Sequence, residues 1–201
     1  MLGYDFEAAL DAAYGSAMRH FVNRNSWMPY RFEDVLAVYK KPHGNGKNII
    51  IAEIMINRSS TEIQDYIYDI QNWKHWHKLY KKSKLLVELQ NNVKVIYLAT
   101  KHIGFIRGRE FILASKKFEI NGYKTVLFTS VEYDCSCLFY KVKAWCHFFY
   151  FVINQINEKE SCLTLLCHFD PKGVNLSALN SKIIHKFVRN LIGLKATLEK
   201  T

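Results

Sequence analysis

The chain has 201 residues, and 28 Lys and Arg against 18 Asp and Glu give it a formal charge of +10. With 49% apolar residues, among them 13 Phe, 12 Tyr and 4 Trp, it can offset the entropy of ordering, which excludes a disordered chain. Only 9 Gly and 3 Pro exclude collagenous and low-complexity classes, and the longest apolar run, 144–153, contains His147 and falls short of the ~20 residues that span a bilayer.

Asp5, Glu7 and Asp11 interrupt the place where a secretion signal needs a basic end and an apolar stretch. Cys135, Cys137, Cys146, Cys162 and Cys167 are an odd number in a chain large enough to fold without staples. They read as reduced thiols of a cytoplasmic protein, and the sequons at Asn57 and Asn175 are then incidental.

With no repeat or linker, 1–201 reads as one domain. Residues 5–22 have helical spacing (Phe6, Leu10, Ala13, Ala17, Phe21) with acidic residues in the first turn. Segments 35–41 and 48–57 read as strands joined by a turn at 42–46. Ser60 is expected to cap a short helix bearing Ile63, Ile67 and Ile70, and 72–80 reads as a second helical piece.

From there the texture is β-branched and aromatic. Segments 84–90, 93–101, 109–119, 123–133, 138–153 and 160–169 read as six strands, with Asn121-Gly122 as the strongest hairpin turn. Six strands without helices between them predict an antiparallel meander. After Asp170-Pro171-Lys172-Gly173, residues 176–198 read as one helix, roughly 35 Å long. Leu176, Leu179, Ile183, Phe187, Leu191, Leu194 and Leu198 make one stripe and Asn180, Ile184, Val188 and Ile192 a second, with Lys182, Lys186 and Arg189 opposite. One sheet and one broadly apolar helix predict an α+β helix-grip fold, a curved antiparallel sheet wrapped around the C-terminal helix. Ser115, Thr129, Ala144 and Thr164, expected on the inner face, would leave room for a cavity.

Four stretches in this order resemble the START (StAR-related lipid-transfer) domain. They are Asp69-Ile-Gln-Asn-Trp73 with Trp76; Lys94-Val-Ile-Tyr-Leu98, the loop 102–108 and Arg109-Glu-Phe-Ile112; Val142-Lys-Ala-Trp145; and Phe169-Asp-Pro-Lys-Gly173 with Asn180. The resemblance implies an N-terminal helix, two short helices after the third strand, and one lipid held in an internal cavity without a cofactor or metal. It implies a lipid site of Trp73, Trp76, His77, Ile96, Leu98, Arg109, Phe111, Leu113, Trp145, Asn180, Ile184, Phe187 and Val188. It also implies a membrane gate of Phe105, Ile106, Lys182 and Lys186.

The departures bear on the head group. The Arg and Asp with which choline-lipid members hold phosphate fall at Trp73 and His77, and their aromatic cage falls at Leu98, Phe111 and Trp145. The acid–Arg pair of sterol-binding members falls near Ile96 and Ser115, and the Trp usual after the Asp-Pro-x-Gly turn is missing from 174–179. Phospholipid is therefore favoured over sterol, with no strong preference for phosphatidylcholine. Arg109 is expected either to meet the ligand or to pair with Glu110 within the sheet.

Other readings have weaker support in the residues. His75 and His77, two apart on a helix, point away from each other and are no metal pair. No nucleophile elbow or phosphate-cradling glycine loop is present, and carboxylates are scarce on the expected inner faces, against a cyclase or hydrolase. Lys81, Lys82, Lys84 and Lys116-Lys117 with nearby aromatics are the case for RNA, but basic residues are spread along the chain and suit an anionic membrane equally. The expectation is a monomeric cytoplasmic protein, not an enzyme and without a nucleic-acid partner, that touches anionic membranes transiently.

Overall fold

The computed structural model describes residues 5–23, 26–33, 35–43, 47–105, 107–134, 142–172, 186 and 188–200. Helix α1 (Phe6–Val22) is followed by strands β1 (Met28–Glu33), β2 (Leu36–His43) and β3 (Lys47–Ile56). Helix α2 (Ser60–Tyr68), a 3-10 turn (Ile70–Asn72) and helix α3 (Trp73–Trp76) come next. Then come β4 (Tyr80–Leu89), β5 (Val93–Thr100), β6 (Arg109–Ile120), β7 (Tyr123–Ser130), β8 (Val142–Lys143), β9 (Trp145–Asn157), β10 (Glu160–Asp170) and helix α4 (Asn190–Leu198). The sheet order is β1-β2-β3-β10-β9-β7-β6-β5-β4, every pair antiparallel, with β8 alongside β6 in parallel. The expected meander is therefore present, and β10 joins it to the N-terminal strands.

Two apolar layers hold the sheet. Its inner face packs Ile54, Ile96, Leu113, Phe128, Phe151 and Leu165 against α2, α3 and α4, through Ile63, Ile67, Trp73, Leu191 and Leu194. Its outer face is covered by α1, through Leu10, Ala13 and Ala17 onto Ile51, Val95, Ala114 and Tyr150. This is the α+β helix-grip arrangement. In the C-terminal segment, Val188, Leu191, Leu194 and Leu198 are buried while Lys186 and Arg189 are exposed, so among the described residues the end of the predicted stripe faces the sheet. The stretch 173–185, with Asn180, Lys182 and Ile184, lies outside the described residues, as do Phe187 and Ile106.

Several expectations are corrected. Strand β1 is the third strand that the resemblance implies before the short helices, although the residue pattern marked only two there. Pro29 disguises it, and Pro is tolerated there because β1 is the sheet edge, where a missing N–H breaks no ladder. The cap of α2 is Ser59, not Ser60. Its side chain accepts from the Glu62 backbone N–H while Glu62 reaches back to the Ser59 N–H, a full capping box. The helical piece expected at 72–80 stops at Trp76, and the chain is already strand from Tyr80. The strand read at 138–153 is interrupted at Ala144, whose N–H donates to the Glu110 carbonyl at 2.9 Å. Thr129 and Thr164 alternate with the inner residues Phe128, Leu163 and Leu165 and so lie on the outer face. Thr129 donates to the His147 carbonyl at 3.0 Å, and Thr164 to Glu53 at 3.3 Å. Ala144 is inner, as expected, and Ser115 follows Phe111 and Leu113 on that face.

Helix α4 is locked to α3 by close backbone approach. A Cβ on Gly193 would come within 2.6 Å of the Trp76 carbonyl oxygen, and the Asn190 side chain accepts from the Lys78 N–H at 2.9 Å. Its far end is pinned by Lys195, which donates to the Met55 carbonyl, and by Glu199, which accepts from the Asn57 N–H at 2.7 Å. Gly193→Ala should improve helix propensity yet destabilise the protein by about 1–3 kcal/mol, because backbone rather than a flexible side chain must give way. An unchanged urea midpoint would show that α4 can slide off α3 freely.

Candidate functional site

At one end of the inner face, β5 runs out at Thr100, β6 begins at Arg109 and β10 ends at Asp170. Leu98 and Phe111 face each other there as a directly paired couple, and Phe149 and Phe169 continue the wall with ring separations of 6.4 Å (Phe111–Phe149) and 5.7 Å (Phe149–Phe169). His77 and Leu79 close one side, and Ile103, Arg107 and Pro171 the mouth. The enclosed space is about 40 Å³, room for water but far below the several hundred Å³ a lipid fills.

Arg109 is the clasp of this mouth. Its Nε donates to the Pro171 carbonyl at 2.5 Å, one terminal nitrogen to the Lys172 carbonyl at 3.0 Å, and the other to the Arg107 carbonyl. One half-buried guanidinium thus ties the loop after β5 to the chain leaving β10, and burial lowers its pKa. The alternative that Arg109 pairs with Glu110 is overturned. Successive strand residues point to opposite faces, and Glu110 is buried on the outer side, accepting from the Tyr97 hydroxyl at 2.8 Å.

The ring of His77 stacks on Trp73 at 5.4 Å and 19° and meets Trp76 edge-on at 5.4 Å. Burial drives its pKa down to about 3, so the imidazole is neutral and apolar in effect. His75 is exposed on the other side of the helix, and among the described residues no group of three His, Cys, Asp or Glu is placed to hold a metal.

The expected residues thus sort into layers. His77, Leu98, Arg109 and Phe111 line the pocket. Trp73, Trp76, Ile96, Leu113 and Val188 form the inner core around it. Trp145 is a correction. It sits between Ala144 and Cys146, both inner, and so belongs to the outer face, opposite Asp170. The cause is a bulge: β10 pairs Phe169 with Cys146 but His168 with Phe148, leaving His147 as an extra residue that shifts the alternation. Phe149 and Phe169 line the wall instead and are not among the expected site residues. Phe105 stands fully exposed in the mouth loop, and Lys186 is exposed as well. No helix among the described residues is long and apolar enough to cross a membrane.

Solved structures share this architecture. Human StAR-related lipid transfer protein 5 superposes with a TM-score of 0.87 at 14% identity, over 96% of each chain. A STAR-related lipid transfer protein from Xanthomonas axonopodis gives 0.75 at 16% identity, over 87% of this chain and 99% of that one. The ZhuI aromatase/cyclase from Streptomyces sp. R1128 gives 0.57 at 10% identity, over 76% and 93%. No curated protein matches in sequence. At such identities these likenesses speak for the fold alone, but the sequence itself matches the START domain over residues 7–194, nearly its full length, and the chain belongs to that family.

Proposed function

We propose that this chain binds one lipid between the inner face of its sheet and its C-terminal helical segment, and carries it between membranes. The observation that carries the reading is an apolar pocket whose two lips are tied by a single side chain, Arg109. Hydrocarbon transferred from water to such a surface gains roughly 25 cal/mol per Å². With only about 40 Å³ enclosed, the lips must part before a lipid enters. Family membership supports a lipid as the ligand.

The phospholipid preference rests on charge. A neutral His77 offers a head group no cation, whereas Arg109 has N–H donors to spare once its carbonyl bonds are counted, and a guanidinium matches a phosphate. Ile96 and Ser115, where sterol-binding relatives place charge, are uncharged and buried. No carboxylate is among the described residues of the pocket, which supports binding without catalysis. Action as a cytoplasmic monomer that touches anionic membranes through Phe105 and Lys186 belongs to the same proposal.

Native mass spectrometry after incubation with a lipid extract tests it: a retained phospholipid supports the reading, and an empty protein that shifts with RNA defeats it. Phe105→Ser should slow transfer between vesicles by roughly threefold or more while leaving equilibrium binding within about twofold, because an exposed aromatic serves docking rather than the cavity. Transfer at the unmodified rate would remove Phe105 from the gate.

A further inference from the structure

Four of the eight histidines meet in one row on the outer face of the sheet. His20, on the last turn of α1, lies 6.0 Å from His43 at the end of β2. His43 lies 4.7 Å from His168 on β10, and His168 stacks on His147 of β9 at 4.3 Å and 21°. Phe148 floors the row, 6.2 Å from His20 and 5.7 Å from His168. His168 is buried, His20 half-buried, and His43 and His147 are exposed, so protons reach the row from both of its exposed members.

The charges around the row are mostly positive. Arg19 flanks it from α1 and Lys41 from β2, whereas Lys40 lies on the inner face over the Tyr30 ring at 4.8 Å. From β10 the acidic group is Asp170, whose carboxylate is already engaged by Lys172 at 3.1 Å and by the Lys172 N–H at 3.0 Å. From the β8 side, Lys143 is paired with Glu132 at 2.7 Å. Neutral imidazoles stack as ordinary aromatic rings. Imidazolium rings at these separations repel, and Arg19 and Lys41 add to the repulsion. Burial, then Lys41, His43 and Arg19, already hold the His20 pKa below its ordinary value. A lowered folded-state pKa means that this contact stabilises fully above the unfolded value of about 6.5 and is lost as pH falls below it.

Three of the four elements are fixed by strand pairing. The last turn of α1 is held to the sheet by side chains; the Trp27 indole donates to the His20 carbonyl at 3.2 Å, and the Ser26 hydroxyl donates to the carbonyl of the C-cap Asn23 at 3.2 Å. That turn is the part that can give. We infer that His20, His43, His147 and His168 form an acid-operated latch: neutral, they hold the last turn of α1 on the sheet, and charged, they release it. His168 directly precedes Phe169, whose ring lines the mouth pocket on the opposite face, so latch and mouth share a strand.

Amide hydrogen exchange of the whole chain at about pH 7.5 and 5.5, expressed as protection relative to an unstructured peptide at the same pH, tests the latch. In the unmodified protein the amides of 17–22 should lose protection by roughly tenfold at the lower pH, while those of β6 and β7 change by less than about twofold. The double variant His43→Gln/His147→Gln, altered at the two exposed positions, should match the unmodified protein at the higher pH and lose less than about twofold at the lower. His147→Gln alone, which removes the closest stacked ring, should give an intermediate loss. Unchanged protection of 17–22 in the unmodified protein, or the same acid loss in the variants, overturns the latch.

Discussion

Trp73→Ala should destabilise the protein by about 3–5 kcal/mol, the range for deleting a large buried ring. Trp73 has no solvent exposure, and its indole nitrogen donates to the Ile67 carbonyl at 2.9 Å. Its ring meets Phe128 of the sheet edge-on at 5.4 Å, Trp76 at 5.1 Å and the stacked His77. One side chain therefore joins α2, α3 and the inner face, and Ala would leave a cavity against the pocket wall and a carbonyl without its donor. Trp73→Phe keeps most of the ring and loses the hydrogen bond, and should cost about 1–2 kcal/mol. Urea unfolding followed by circular dichroism checks both. A loss below roughly 1.5 kcal/mol for Trp73→Ala would mean that the short helices close over the gap and that Trp73 is no keystone.

The same residue shows what was legible in the sequence and what was not. The stretch containing Trp73 and Trp76 is a local signal, and local signals read well. Asn121-Gly122 forms the tight turn its type demands, with φ of 50° and 78°, and six consecutive β-rich segments make the meander. Which side of a strand faces the ligand is a different matter, because alternation carries the assignment only until a bulge resets it. His147 does so in β9, sending Trp145 outward and Phe149 inward, and nothing in its residue type announces a bulge. Gly193, within the apolar C-terminal stretch, carries no local signal of its role. Its reason is the Trp76 carbonyl, more than a hundred residues away in sequence. The partners of Arg109 are backbone carbonyls of two loops, and carbonyls have no residue signature at all. Chemistry-bearing types at the mouth could be nominated from sequence, but their partners could not.

Acid should weaken the whole fold through His77, separately from any local release of α1. With its pKa driven from 6.5 to about 3 by burial, His77 favours the folded state only while neutral. A lowered folded value fixes the sign: the contribution is complete above about pH 6.5, and it falls as the unfolded chain gains a proton the folded one refuses. Between about pH 7.5 and 5 this group alone should remove about 2 kcal/mol of stability, and by pH 3 about 4 kcal/mol. Carboxylates titrate over the lower part of that range, so the contribution is read as a difference. His77→Phe keeps an aromatic ring on Trp73 and removes the titration, and its stability should fall by about 2 kcal/mol less than that of the unmodified protein between pH 7.5 and 5. Urea midpoints at the two pH values give the comparison. Equal losses in the two proteins would mean that the imidazole reaches water or a proton acceptor as the mouth moves, and that the ring facing the pocket is not the dry wall its burial describes.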